Sequence, residues 1–253
     1  MDLLKVDGVT VEFGGIVALS GLTFNVQQGD ICGLIGPNGA GKTTVFNVLS
    51  RIYEPTQGSV TFDGVDLLGV EAHDIAKLGI GRTFQNLALF PSMSLLENVM
   101  VGAHSKGRVG FVRAITRFGV RREDRQLRET SMALLEAFGL AQLAAHPAAG
   151  LPFGTLKRVE IARALAAKPK FVLLDEPASG LTHSEVDELA DTLVRVRSEF
   201  NLTMLLVEHH MSMVMKVSDK IVVMEFGRKI AEGTPAEVRD NPEVIRAYLG
   251  TDA

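Results

Sequence analysis

The sequence predicts an α/β fold: a mainly parallel sheet, an antiparallel β layer beside it, and an inserted α-helical subdomain. Three observations predict it. The apolar runs Ile31 to Ile35, Phe171 to Leu174 and Thr203 to Val207 are short and nearly unbroken, as central parallel strands are when both sheet faces are covered. Residues 3–26 alternate instead, in the manner of half-buried antiparallel strands. From about Asn86 to Leu165 strand signal is sparse and helical periodicity takes over.

In chain order, Val9, Val11 and Phe13 share one face of a first strand, and Leu22, Phe24 and Val26 lie on a second, with Gly14-Gly15 as the turn between them. Spacing favours Phe13 as a core residue, because most aromatics at alternating positions are packing groups; its other reading is a flat surface on which a base stacks. Ile31 to Ile35 feeds Gly36-Pro37-Asn38-Gly39-Ala40-Gly41-Lys42-Thr43-Thr44, and Val45 to Ser50 reads as a helix. Gly58 to Phe62, turning at Asp63-Gly64, extends the antiparallel sheet. Ser94 to Val101, Arg121 to Gly139 and Thr155 to Ala167 carry helical periodicity. Asp219 to Gly233 reads as a hairpin turning near Phe226-Gly227, and Pro235 to Leu249 as closing helices. The expected organisation is a single domain over 1–253, with 1–85 and 166–253 as a core that carries the antiparallel layer and the closing helices, and 86–165 as helical subdomain.

Composition bounds the function. A length of 253 residues leaves ample material for a core, and 46% hydrophobic with 22% charged residues is ordinary for a globular protein. The formal charge of −4 argues against a general nucleic-acid binder, so no nucleic-acid partner is expected. The single cysteine, Cys32, falls in a predicted buried strand; no disulfide can form within the chain, which fits a reducing compartment. Asp2, Lys5 and Asp7 interrupt the first ten residues, so no secretory apolar segment is expected. No apolar run approaches the ~20 residues of a membrane span, so a membrane role requires another chain to supply the spanning part. Across His104 to Arg128 eight basic residues stand against Glu123 and Asp124, and Phe111, Ile115 and Phe118 share a helical face while Arg113, Arg117 and Arg121 follow another. Such a segment lies against a membrane surface or a partner, or is a solvated helical face.

The chemistry starts at Gly36 to Thr44, which fits G-x-x-x-x-G-K-[ST] between a strand and a helix. Glycines let backbone N–H groups curl round phosphate oxygens, and the following helix turns its positive end to the same anion. Lys42 would pair with the outer phosphates and Thr43 would offer its hydroxyl to Mg²⁺. The core is thus a P-loop NTPase core. Asp175 and Glu176 follow an apolar strand and emerge at its carboxyl end, where open α/β sheets bind ligands. One carboxylate there holds Mg²⁺ directly or through water, and the second polarises an attacking water. His209 ends the next strand at the same edge, where it either donates to a γ-phosphate or is structural. No Asn/Thr-Lys-x-Asp element follows the loop, which favours ATP over GTP.

Taken together these residues resemble the ATP-binding subunit of an ABC transporter, and the likeness runs almost end to end. It is carried by Phe13, Gly36 to Thr44, Gln85 in Arg82-Thr83-Phe84-Gln85-Asn86, Leu151-Pro152-Phe153-Gly154-Thr155, Asp175-Glu176, Ser179-Gly180-Leu181-Thr182 and His209, in the family's order. The resemblance implies that Phe13 stacks on adenine, reversing the preference from spacing, and that Gln85 contacts Mg²⁺ and senses the γ-phosphate. It implies two subunits sandwiching two ATP molecules head to tail, with Leu151 to Thr155 of one chain closing the other's nucleotide. The usual signature is Leu-Ser-Gly-Gly-Gln; here the serine hydroxyl and the glutamine are missing, leaving backbone N–H groups at the start of the Thr155 helix to meet the anion. Phe13-Gly14-Gly15, the long insert after Gln85, Val207-Glu208-His209-His210-Met211 and the tail from Gly233 to Gly250 are similar to ATP-binding subunits of branched-chain amino-acid importers. That likeness implies permease subunits in the membrane, a solute-binding protein acting through them, and a place on the cytoplasmic face of the inner membrane. Relatives serving urea, amide or lipopolysaccharide transport share much of the pattern, and a soluble mechanical ATPase acting on nucleic acid or ribosomes is the reading from another class.

Overall fold

The computed structural model describes residues 1–83, 87–103 and 120–249, with backbone only at 120–123 and 249. Strands β1 (Asp2–Phe13) and β2 (Ile16–Gln27) pair antiparallel across a turn in which Gly14 and Gly15 both take positive φ, 53° and 88°. After β3 (Ile31–Ile35) and helix α1 (Lys42–Leu49), strands β4 (Gln57–Phe62) and β5 (Val65–Asp66) join the first pair in the order β2-β1-β4-β5. Helix α2 (Ile75–Leu78) and the short β6 (Ile80–Arg82) precede three helices, α3 (Leu95–Val101), α4 (Val120–Ala137) and α5 (Phe153–Leu165). The chain then runs through β7 (Phe171–Asp175), α6 (His183–Phe200), β8 (Thr203–Val207) and α7 (Met211–Val217). It closes with the hairpin β9 (Lys220–Glu225) and β10 (Arg228–Gly233), then α8 (Pro235–Arg239) and α9 (Pro242–Leu249).

The second sheet has the order β10-β9-β3-β8-β7-β6 and is parallel except at the β10 edge. Every residue of β3, β7 and β8 is buried, which is why their sequences are unbroken apolar runs. Within β7 the two-residue period sorts the faces: Phe171 and Leu173 join the core shared with α1 and the antiparallel sheet, whereas Val172 and Leu174 join the core shared with α3 to α6. Cys32 points to the first of these and is fully buried, with its thiol pKa pushed up to about 12 by burial. A third cluster seats α7, α8 and α9 on Ile35, Ile221 and Val223, beside the start of the phosphate loop.

Local signals set the helix ends. Ser94 with Glu97, Thr182 with Glu185 and Thr234 with Glu237 each form a reciprocal capping box. Helix α5 begins at Phe153, two residues before the expected Thr155, because Pro152 occupies its cap position with φ −56°, where a missing N–H costs nothing. The placement of Phe13 in the core by spacing is overturned. Val9 and Val11 are buried, but the β1–β2 register shifts on either side of Val11, and Phe13 emerges 44% exposed with its ring edge-on to Tyr53 at 4.9 Å. Gln85 and most of the basic 104–128 segment, including Phe111, Ile115, Phe118, Arg113 and Arg117, lie outside the described residues. Within that segment Arg125 and Arg128 of α4 are exposed.

Candidate active site

The site is built where β3 ends and the chain wraps through Gly36 to Gly41 into α1. Close approach explains two of the glycines. A methyl group on Gly36 would run into the Met224 carbonyl, and one on Gly41, whose φ is 98°, would lie 2.8 Å from the Ala18 carbonyl oxygen. Lys42 starts α1 and folds back over the loop, donating to the carbonyls of Gly36 at 2.6 Å and Pro37 at 2.9 Å. Burial lowers its pKa from the ordinary lysine value, and the Glu176 carboxylate opposes that shift.

Asn38 to Thr44, Glu176 and His209 line an open cleft of about 430 Å³, and Ile16, Val17, Ala18, Phe226 and Gly227 form the rest of its wall. Its polar floor and partly apolar wall suit a triphosphate with a base and sugar, and its size is that of a small-molecule site. Phe13 is not among the lining residues, although it pairs across the β1–β2 ladder with Ile16, which is.

Parallel pairing of β7 with β8 brings the two carboxylates and the histidine to one sheet edge. Asp175 is buried at 4% exposure. Its Oδ2 pairs with the Arg82 guanidinium at 3.3 Å, and its backbone N–H donates to Thr83 Oγ1 at 3.1 Å. Burial pushes its carboxyl above the usual aspartate value against the pull of Arg82. Its Oδ1 is buried without a hydrogen-bond partner among the described residues. A buried, unsatisfied carboxylate oxygen beneath a phosphate loop fits a site completed by a hydrated divalent cation.

Glu176 lies just past β7 in the left-handed region, φ 47°, a costly conformation for a glutamate and one concentrated at functional sites. The turn is held by Glu176 N–H donating to the Val207 carbonyl at 2.9 Å, and it carries the side chain to the cleft, where Oε1 is 2.6 Å from His209 Nε2. A carboxylate and an imidazole in contact beside a phosphate loop can orient water and pass a hydrogen bond to an incoming anion.

Leu151 to Thr155 do not line the cleft. Pro152 and Phe153 are exposed, Gly154 packs beside Glu185 at the start of α6, and the Phe153 ring lies over Gly180. Sequence reasoning missed Arg82, which ties Asp175 to α1 through Ser50 Oγ at 2.9 Å and Asn47 Oδ1 at 3.0 Å. An arginine closing the run Ile80-Gly81 was its only signal. Ile16, Val17 and Phe226 were missed as well, because exposed apolar residues near turns have no motif.

The family model described as "ABC transporter" matches residues 19–179. The chain belongs to the ABC transporter ATP-binding family. As a member it binds ATP and hydrolyses it to energise a transporter. A second family model, described as "Branched-chain amino acid ATP-binding cassette transporter", matches residues 228–253. This ABC subunit is 43% identical over 249 residues to the high-affinity branched-chain amino acid transport ATP-binding protein BraF of Pseudomonas aeruginosa, covering 98% of each chain. It is similar to a solved ATP-binding cassette of an ABC transporter in its ADP conformation, with TM-score 0.86, 30% identity and 99% of each chain covered. It also resembles a dimeric post-hydrolysis cassette bound to ADP and Pi, with TM-score 0.75 and 27% identity over 92% of this chain and 98% of the other. Among the described residues no helix is long and apolar enough to cross a membrane.

Proposed function

We propose that this chain is the ATP-hydrolysing subunit of a branched-chain amino-acid importer, peripheral on the cytoplasmic face of the inner membrane. It works with a second ATP-binding subunit, integral permease subunits and, through them, a solute-binding protein. One observation carries the reading: Lys42, Glu176 and His209 share one cleft in a chain that matches BraF along almost its whole length.

Lys42 exchanges the Gly36 and Pro37 carbonyls for the outer phosphates, and the backbone N–H groups of Gly39 to Thr44 cradle the phosphate chain at the positive end of α1. Thr43 through its hydroxyl, Asp175 through its carboxylate and Gln85 would hold Mg²⁺. Bound there, Mg²⁺ supplies neutralisation of the phosphate charge. Glu176 accepts a hydrogen bond from the attacking water and polarises it, while His209 turns its Nε2 from Glu176 to the γ-phosphate. Phe13, beside the cleft's apolar wall, stacks on adenine. The outer side of the γ-phosphate stays open until Leu151 to Thr155 of the second subunit covers it with the N–H groups of the first turn of its α5. Hydrolysis then reopens the dimer and drives the permease.

The test is uptake by vesicles holding the complete transporter. Leucine, isoleucine and valine should accumulate with ATP and not with the Lys42→Ala subunit. ATP-driven uptake of a different solute class alone would overturn the substrate assignment.

A further inference from the structure

A buried carboxylate that no step above uses lies between the two loops behind the cleft. Glu208 is 2% exposed, and its two oxygens go to different segments. Oε1 accepts from the Ala178 N–H at 2.6 Å. Oε2 accepts from the N–H groups of His209 at 2.9 Å and His210 at 3.2 Å, and lies 3.1 Å from His210 Nδ1. Among the described residues the His210 ring is its one side-chain partner and the other three contacts are backbone N–H groups, which therefore do most to satisfy the buried carboxyl. An apolar side chain would fill this space without that desolvation, so the arrangement points to a task beyond packing.

The task is legible in what the two segments carry. His209 faces the cleft of its own chain. Ala178 opens the stretch through Ser179 and Gly180 to α6, and the Phe153 ring rests on that stretch, 2.9 Å from where a Gly180 methyl would sit. Gly154, the next residue, packs against Glu185 in the first turn of α6. From Ala178 the chain runs through Ser179 and Gly180 to the Phe153 ring, so the link from His209 continues to the side of Phe153 and Gly154.

We propose that Glu208 is a positioning residue that couples the two ATP sites of the dimer: it joins the His209 backbone to the Ala178 segment, so a shift of His209 towards its own nucleotide moves the support of the surface offered to the partner's nucleotide. This rests on the two-subunit reading of the site.

The experiment compares wild type, Glu208→Gln, Glu208→Asp and His210→Ala in the assembled transporter, reading ATP affinity, kcat, the Hill coefficient for ATP and the melting temperature. Gln replaces one accepting oxygen with a donor, and Asp keeps the charge but is too short to reach both segments; if the Gln variant does not fold, the Asp variant decides. Expected for both is ATP affinity within about threefold of wild type, kcat lower by roughly tenfold and a Hill coefficient reduced towards 1. His210→Ala, which leaves every backbone bond to the carboxylate in place, should keep wild-type cooperativity. Wild-type kcat and Hill coefficient in the Glu208 variants, a fall in kcat that only follows lost ATP binding, or an equal loss in His210→Ala would overturn the proposal. A wild-type transporter with a Hill coefficient of 1, and no effect of an inactive subunit on its partner, would overturn the two-subunit reading itself.

Discussion

Replacing Arg82 with methionine keeps an apolar stem but removes the cation beside Asp175. In the wild type Nη2 lies 3.3 Å from Asp175 Oδ2, Nη1 donates to Ser50 and Asn47, and the guanidinium sits 5.6 Å from the centre of the Phe46 ring. The two side chains are 13% and 5% exposed, so water cannot take over the lost role. Removing one partner of such a pair costs about 3–5 kcal/mol. At roughly 2–4 °C per kcal/mol for a chain of this size, Tm should fall by about 6–20 °C. The loss depends on pH. Burial already raises the Asp175 carboxyl above its usual value of 3.8, and without Arg82 it rises further. A carboxyl whose pKa is higher in the folded chain holds its proton longer there, so stability falls as pH rises from the ordinary value through the raised one. The difference between Arg82→Met and wild type should therefore be small at acid pH and full at neutral pH. Thermal melts across that range measure it. A loss below about 1 kcal/mol, or one equal at acid and neutral pH, would show that Arg82 does not hold the buried Asp175 charge.

Lys42→Ala removes the ammonium that would pair with the outer phosphates; if it exchanges its two carbonyl bonds for two charge-assisted ones there, each worth about 1.5–3 kcal/mol, ATP affinity should fall by at least about a hundredfold in a calorimetric titration. The same titration in wild type should weaken at alkaline pH with a midpoint below the ordinary lysine value of 10.5, since burial makes Lys42 lose its proton early in the empty site. Phe13→Ala should weaken ATP binding by about 0.5–1.5 kcal/mol at unchanged kcat; unchanged affinity would give the base to Ile16 and Val17 instead. Cys32, fully buried and with its thiol pushed up to about 12, should resist iodoacetamide in the native protein and react once denatured, as mass spectrometry would show.

The parts of the fold legible in sequence are those in which one local rule decides the outcome. Buried parallel strands must be apolar on both faces, so β3, β7 and β8 stand out in the sequence, and the apolar run before them places Asp175 and Glu176 at a strand end. The phosphate loop was equally plain, because Gly36 and Gly41 answer to backbone contacts that exclude a side chain. Phe13 escaped because a register shift between β1 and β2, invisible in the two-residue period, decides which way its ring turns. Arg82 and Glu208 escaped for a different reason. Asp175 lies 93 residues from Arg82 and Ala178 lies 30 residues from Glu208, contacts made by the pairing of β6 with β7 and of β7 with β8.

The proposed role of Glu176 is to polarise the attacking water at a nucleotide held by Gly36 to Thr44. It is tested most directly by the ATP hydrolysis rate of the Glu176→Gln subunit in the assembled transporter, measured beside its ATP affinity. Affinity should stay close to wild type, an ATP-bound dimer should persist, and the rate should fall by about 10²–10⁴-fold. Hydrolysis at a near-normal rate would contradict it.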